Sequence, residues 1–294
     1  MNLRLDGCVR QTTISPVRVL VMGVWPVLSG CASVLSTFTP APTTPPGSVR
    51  GAAAIGVSAP VGQLVDVVDQ GEEIARKRLR GEPLNAEEQD ELVESGLTLA
   101  LNPPSAAGEL QGRYGVAEAI DVGVRFASSL TARVDGRFQF LKSGAEDGSG
   151  FAGSAGLGLG YYAKSFELPN ADIEAMVAVA SMRRVELDAP ILFGFSGPVG
   201  HFWFGPKFVV NRFWADVTLE FLQTAAVAGS ATGTTFFYGG QVGGAVGYKY
   251  VWLAAELSIM GLSSSADVES SAYNADLSLG GLVLYPALGV IVQI

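Results

Sequence analysis

Ile120-Asp121-Val122-Gly123-Val124-Arg125-Phe126, followed after a short break by Ala132-Arg133-Val134-Asp135-Gly136-Arg137-Phe138-Gln139-Phe140, sorts its residues by parity. In the first run Ile, Val, Val and Phe share one face and Asp, Gly and Arg the other. In the second, Ala132, Val134, Gly136, Phe138 and Phe140 alternate with Arg133, Asp135, Arg137 and Gln139. Successive side chains of an extended strand point to opposite sides, so each run reads as a strand with one apolar and one charged face. A half-buried strand of a soluble sheet gives the same alternation, and one run decides nothing. The number of runs decides.

Working outward, period-2 segments bounded by turn residues recur at 49–58, 108–116, 120–128, 131–142, 152–163, 172–184, 188–196, 201–212, 216–223, 234–248, 250–262 and 280–293. Several reach the roughly 9–11 residues that a tilted membrane strand needs. The pattern predicts an all-β fold, an antiparallel up-and-down β-barrel of the transmembrane type, with twelve strands. With the N-terminus periplasmic, alternation puts most long connections outside, at 63–107, 164–171, 224–233 and 263–279. The segment 143–151 (SGAEDGSGF) falls on the wrong side for its length, and ten strands is the alternative.

Composition agrees. Hydrophobic residues make up 48% of the 294 and charged residues 16%, below the roughly 25% of soluble domains, and there are 37 glycines. No stretch after residue 31 approaches the roughly 20 continuous apolar residues of a membrane helix, so the apolar residues are dispersed by alternation, as in a barrel. The net charge of −9 argues against nucleic acid, whose phosphates require clustered Lys and Arg.

The N-terminus has the layout of an export signal over 1–30: Arg4, Arg10 and Arg18 precede an apolar run from Val19 to Leu28, too short to span a bilayer. Leu28-Ser29-Gly30-Cys31 then resembles the lipobox of bacterial lipoproteins, which implies cleavage before Cys31, a diacylglycerol on that cysteine and attachment to membrane lipid. Ala32, in place of an aspartate, implies transit to the outer membrane. The only other cysteine, Cys8, lies in the discarded part, which leaves no disulfide or thiolate metal site. Residues 31–48 are Pro- and Thr-rich without periodicity and read as a lipidated extended tether, leaving 49–294 as the barrel domain.

The stretch 108–126 (GELQGRYGVAEAIDVGVRF) resembles a hairpin of poorly characterised bacterial outer-membrane barrel proteins, in which a Tyr-Gly pair precedes a short polar turn and an Asp-x-Gly-x-Arg strand. Ala189-Pro190-Ile191-Leu192-Phe193-Gly194, Phe204-Gly205-Pro206-Lys207 and Tyr285-Pro286-Ala287-Leu288-Gly289 are similar to that group's later strands, so the likeness runs over 108–294. It implies a barrel and no settled activity. Many outer-membrane barrels end in an aromatic residue; this chain ends in Ile294.

Residues 63–100 break the strand pattern and read as a helical-hairpin insert. Leu64, Val65, Val68, Ile74 and Leu79 suit one amphipathic helix closing near Gly81 and Pro83. Asn85 and Glu88 read as a capping box opening a second helix through Leu92, Val93 and Leu97. With ten acids and four bases between Asp66 and Glu94, the insert is expected to cover one barrel end, or to serve as a plug or docking element for an envelope protein partner.

With apolar faces to lipid, Arg113, Asp121, Arg125, Arg133, Asp135 and Arg137 are expected to converge on the lumen, as a structural ladder or an anion-selective stripe. Enzymatic signals are poor. His201 is the only histidine, which excludes a His-based metal cluster, and no Gly-x-Ser-x-Gly pattern marks a nucleophile. The glycines at 156–160 and 239–244 lack a following Lys-Ser/Thr and read as sites of close packing. The expectation is a non-enzymatic outer-membrane β-barrel lipoprotein without metal or cofactor, a structural or assembly component or a narrow channel of an envelope complex. The alternative is a soluble periplasmic or surface lipoprotein β-domain that binds an apolar ligand; a barrel hydrolase ranks below it.

Overall fold

The computed structural model describes residues 33–127, 131–144, 149–164, 168–220 and 227–294. Ten strands form the sheet: β1 (Val49–Val61), β2 (Ser105–Ala117), β3 (Ile120–Ala127), β4 (Ala132–Gly144), β5 (Gly150–Lys164), β6 (Val177–Gly197), β7 (Gly200–Leu219), β8 (Val227–Tyr248), β9 (Val251–Ser270) and β10 (Asn274–Gln293). Each pairs antiparallel with its neighbours in sequence, and β1 pairs with β10, from Arg50 opposite Gln293 to Val61 opposite Leu282, so the barrel is closed. Closure removes strand edges over the turn-end half, whereas β10 before Leu282 and β6 before Met182 overhang their shorter neighbours.

The count is thus ten, because two expected breaks are continuous strand. Segments 172–184 and 188–196 merge into β6, and 201–212 and 216–223 into β7. The expected break lay at Val185-Glu186-Leu187, and the strand also carries Pro190, which lacks a ladder donor. In the sheet, pairing of β6 with β5 skips between Ile191 and Asp188, so the missing N–H falls where no bond to that neighbour is required. The expected long connection at 263–279 is also mostly strand: β9 runs on to Ser270 and β10 begins at Asn274.

The wall is uneven. β1 to β5 have 8–15 residues and β6 to β10 have 20–22. The passages from β2 to β3, β4 to β5, β6 to β7 and β8 to β9 share one end with Val49 and Ile294, here called the turn end. The opposite end carries the insert, α1 (Gln63–Leu79) and α2 (Ala86–Leu101), and the short α3 (Ala171–Glu174). Asn85 and Glu88 form the expected capping box, and the chain leaves α1 through Gly81, whose φ of +85° favours glycine. The two helices approach closely at Gly71, where a Cβ would lie 2.1 Å from Ser95 Oγ.

The taller wall of β6 to β10 wraps the insert. Leu64, Ile74, Leu92, Val93, Leu97 and Leu101 are buried together with Ile173, Val177, Val217, Leu219, Val268 and Leu279. This half of the molecule has an ordinary arrangement, apolar within and polar without. The half nearer the turn end is the reverse, and β9 shows both. Outward it presents Val251, Leu253, Ala255, Leu257, Ile259 and Gly261, then Ser263, Ser265, Asp267 and Glu269; inward it presents Trp252, Ala254, Glu256 and Ser258, then Met260, Leu262, Ser264, Ala266 and Val268. The polarity of the outer face changes near Gly261, and beyond Ser258 the inner face becomes mainly apolar.

Candidate functional site

The opening runs orient as their parity requires. Ile120, Val122, Val124 and Phe126 are 43–57% exposed on the outer wall, whereas Asp121 and Arg125 are 0% and 4% exposed within it. Arg113, Arg133 and Arg137 are buried and Asp135 is half-buried, so all six expected lumen charges share the interior.

What lies between them differs from expectation. Residues 33–46, part of the stretch 31–48 expected to be an extended tether between lipid and folded domain, thread the lumen, and Ser33, Val34, Leu35, Ser36, Thr37, Phe38, Thr39, Ala41, Thr43 and Thr44 are buried. The segment runs from beside Asn211 on β7 toward the turn end, passes Gly115 at Pro45-Pro46 and turns at Gly47, φ +77°, into β1. At Gly115 a Cβ would lie 2.0 Å from the Pro45 carbonyl oxygen, so the exit requires glycine. The physical reason for the placement is polarity. A charged wall facing inward needs neutral polar groups to fill it, and this stretch carries no charge and few N–H groups of its own because of Pro40, Pro42, Pro45 and Pro46.

The walls hold its main chain. Glu256 on β9 accepts the successive N–H groups of Thr37 (2.6 Å) and Phe38 (2.9 Å), and also the Trp203 indole N–H (2.7 Å). Phe38 sits at φ +48°, in the left-handed region, and consecutive N–H groups converging on one anion form a nest. Arg125 donates to the carbonyls of Ser36 and Thr37, both at 2.6 Å, and Lys207 to Ser36 at 2.8 Å. Gln111 donates to Phe38, Arg137 to Pro40, Ser154 to Ala41 and Ser258 to Leu35, at 2.5–3.0 Å. Asp121 accepts the Thr44 N–H at 2.8 Å.

The charges also pair with one another. Asp121 takes Arg113 at 2.8 Å and Arg137 at 2.6 Å, and Arg113 reaches Asp135 at 2.5 Å. Arg133 bonds both Glu186 and Asp188, Lys207 stands 3.5 Å from Asp188, and Arg125 stands 3.6 Å from Glu109. The arginines are committed to carboxylates and carbonyls, which makes a ladder and leaves no free anion-selective stripe among them. Glu109, Glu186, Asp188, Lys207 and Glu256 were not singled out from the sequence. Their signal was present, since Glu186 and Asp188 alternate with Val185 and Leu187 on β6 as Arg133 and Asp135 do with Val134 on β4.

A vestibule of about 530 Å³ opens at the turn end, lined in part by Arg50, Lys142, His201 and Gln293, and it is floored by Pro42, Thr43, Pro45 and Pro46 of the segment. His201 Nδ1 lies 2.9 Å from Ser196 Oγ, and its ring lies 5.2 Å from that of Trp252. No carboxylate joins this pair to make a triad among the described residues. No group of three or more His, Cys, Asp or Glu side chains among them is placed to hold a metal ion, and no described helix is long and apolar enough to cross a membrane. Cys31 and the export signal lie outside the described residues.

The geometry defines a class: a closed ten-stranded antiparallel barrel whose turn-end half is apolar outside, with a charged lumen filled by its own chain. No family model matches the chain, and no curated protein matches it. Among solved structures it resembles a major outer membrane protein from Thermus thermophilus, at 13% identity and a TM-score of 0.33 over 60% of this chain and 98% of that one. A likeness at that score carries no argument about this protein.

Proposed function

We propose that the chain is a membrane-spanning β-barrel of a bacterial outer membrane, stoppered by its own N-terminal segment, which serves as a structural or assembly component of the envelope rather than an open pore. The change of polarity along the outer face of β9 carries this reading. Over the eleven residues Val251 to Gly261 the outward positions Val251, Leu253, Ala255, Leu257 and Ile259 are all apolar, and eleven residues is about the span a tilted strand needs to cross a bilayer. Beyond Gly261 the same face turns to Ser, Ser, Asp and Glu, so the helix-bearing half stands in water. Tyr248 and Tyr250 at the turn end, and Trp214, Phe236 and Tyr238 toward the water-facing half, are exposed where interfacial aromatic girdles belong. By the rule that outer-membrane barrels keep short turns periplasmic, the insert 63–100 faces outward, available to an envelope partner.

The filled lumen favours the scaffold over the narrow channel, and the apolar concavity around Tyr114, Val122, Val124, Leu157 and Leu187 lies on the outer wall rather than in the lumen. Lipid on Cys31 is a further part of the proposal, tested by mass spectrometry of the mature N-terminus. The central test is extraction. Cys31→Ala protein is expected to stay in the membrane until detergent is added, and to migrate faster unheated than heated on a gel. Its release as a soluble monomer would overturn the membrane reading. In a planar bilayer the intact protein is expected to stay closed, and steady ohmic conductance would restore the channel.

A further inference from the structure

Most of the contacts that hold residues 33–46 are made to the main chain. Glu256 receives two successive N–H groups; Arg125, Lys207, Arg137 and Gln111 donate to carbonyls; and Asp121 closes the row at Thr44. Side chains of the segment enter mainly through hydroxyls, as where Thr37 Oγ1 donates to Gln241 at 2.6 Å and Ser36 Oγ to Glu109. A wall that pairs with peptide groups at this spacing recognises an extended backbone, whichever chain supplies it. Only the covalent link through Gly47 makes the present occupant intramolecular, and such a link raises the effective concentration of a segment to the millimolar range.

We propose that the lumen is a binding site for an extended polypeptide with neutral, Pro/Ser/Thr-rich side chains, filled in cis by residues 33–46 and able to accept a second polypeptide of the same chemistry in trans. The occupant must be uncharged, because Arg113, Arg125, Arg133, Arg137 and Lys207 already face carboxylates, Glu256 is met by neutral N–H donors, and an added charge would be buried without a partner. It must be extended, because the donors and acceptors that grip it are spread along the barrel from Asn211 and Ser258 down to Asp121 at the turn end.

The test uses the full chain, folded in detergent micelles, with a protease recognition sequence inserted after the exposed Gly47. Cutting it after folding turns the segment into a noncovalent occupant. A fluorescent synthetic peptide, SVLSTFTPAPTTPP, is expected to replace the cut segment one per barrel while the heat-modifiable band persists. The same peptide N-methylated at the positions of Thr37 and Phe38 should compete at least tenfold more weakly. A peptide with its Ser and Thr positions permuted and its prolines kept should compete within tenfold, and Glu256→Gln in the barrel should erase most of the methylation penalty.

Three results would overturn the proposal: no exchange over days, loss of the folded band when the cut segment leaves, or a permuted peptide that fails where the methylated one binds. The first two would make the segment a fixed part of the core; the third would make recognition a matter of side chains. None of these readouts uses a bilayer, so the proposal stands or falls separately from the membrane reading.

Discussion

Asp121→Asn is nearly isosteric, yet it removes the one charge that two buried guanidinium groups share. Asp121 is fully enclosed and accepts two bonds from Arg113, at 3.2 and 2.8 Å, two from Arg137, at 3.1 and 2.6 Å, and one from the Thr44 N–H. The loss is uneven. Arg113 keeps Asp135 at 2.5 Å, whereas Arg137 keeps only the carbonyls of Pro40 (2.8 Å) and Pro42 (3.3 Å). Stranding one partner of a buried pair costs about 3–5 kcal/mol. Because one of the two arginines retains a carboxylate and the new amide oxygen can still accept from Thr44, the lower end, about 3 kcal/mol, applies. That is a factor of roughly 150 in the folding equilibrium. The measurement is a urea titration in micelles scored by the heat-modifiable band. Adding Arg137→Met removes the stranded cation, so the double variant should cost about 1–3 kcal/mol less than the sum of the two singles. A cost below about 1 kcal/mol for Asp121→Asn, or strict additivity in the cycle, would refute the claim that this cluster holds charge out of water.

Four other outcomes follow from the same structure. Leu257→Arg, at the middle of the apolar outer face of β9, should cost about 2–4 kcal/mol of insertion free energy in lipid vesicles, whereas Ser265→Arg on the same face of the same strand should cost almost nothing. Equal costs at the two sites would remove the apolar belt. Gly115→Val sets a side chain against the Pro45 backbone, so the segment cannot leave by its present route, and the variant should lose the folded band or protect Ser36 and Thr37 poorly from hydrogen exchange. In the insert, a hydrogen bond from Lys77 and one from the Asn85 N–H hold the Glu88 carboxyl below its usual value near 4.5. A depressed folded value stabilises above the unfolded one, and that stability is lost as pH falls through the folded one, so limited proteolysis of the 80–85 turn should accelerate in Glu88→Gln at pH 7, with the difference from wild type shrinking progressively as pH falls below 4.5. Glu94 has the opposite sign, since burial first and Glu91 second raise its carboxyl. It costs stability at neutral pH, and Glu94→Gln should slow the same cleavage at pH 7 and leave it unchanged in acid.

Parity made the barrel legible before any coordinates, because a period of two is written directly into residues such as 120–126. The strand count was less legible. The breaks expected at 185–187 and 213–215 hold no turn residues, Val-Glu-Leu and Phe-Trp-Ala, and in the sheet both run on as paired strand. β9 held the polarity change of its outer face in plain view, as alternate positions passing from Val251 and Leu253 to Asp267 and Glu269, but that signal appears only when each face is followed separately. The lumen segment had no such trace. Its contacts are made by peptide groups, which every residue carries, so no periodicity in side chains could distinguish a filler of the barrel from a loose tether.

Enclosure of the segment also fixes an order of events. Its partners are scattered from Gln111 to Ser258, and Arg50, at its exit, reaches across the last seam to Gln293, 243 positions away. The segment therefore cannot be gripped until nearly all the wall exists. Assembly must build most of the cylinder before residues 33–46 are held in it, which makes the first part of the domain to be synthesised among the last to find its place.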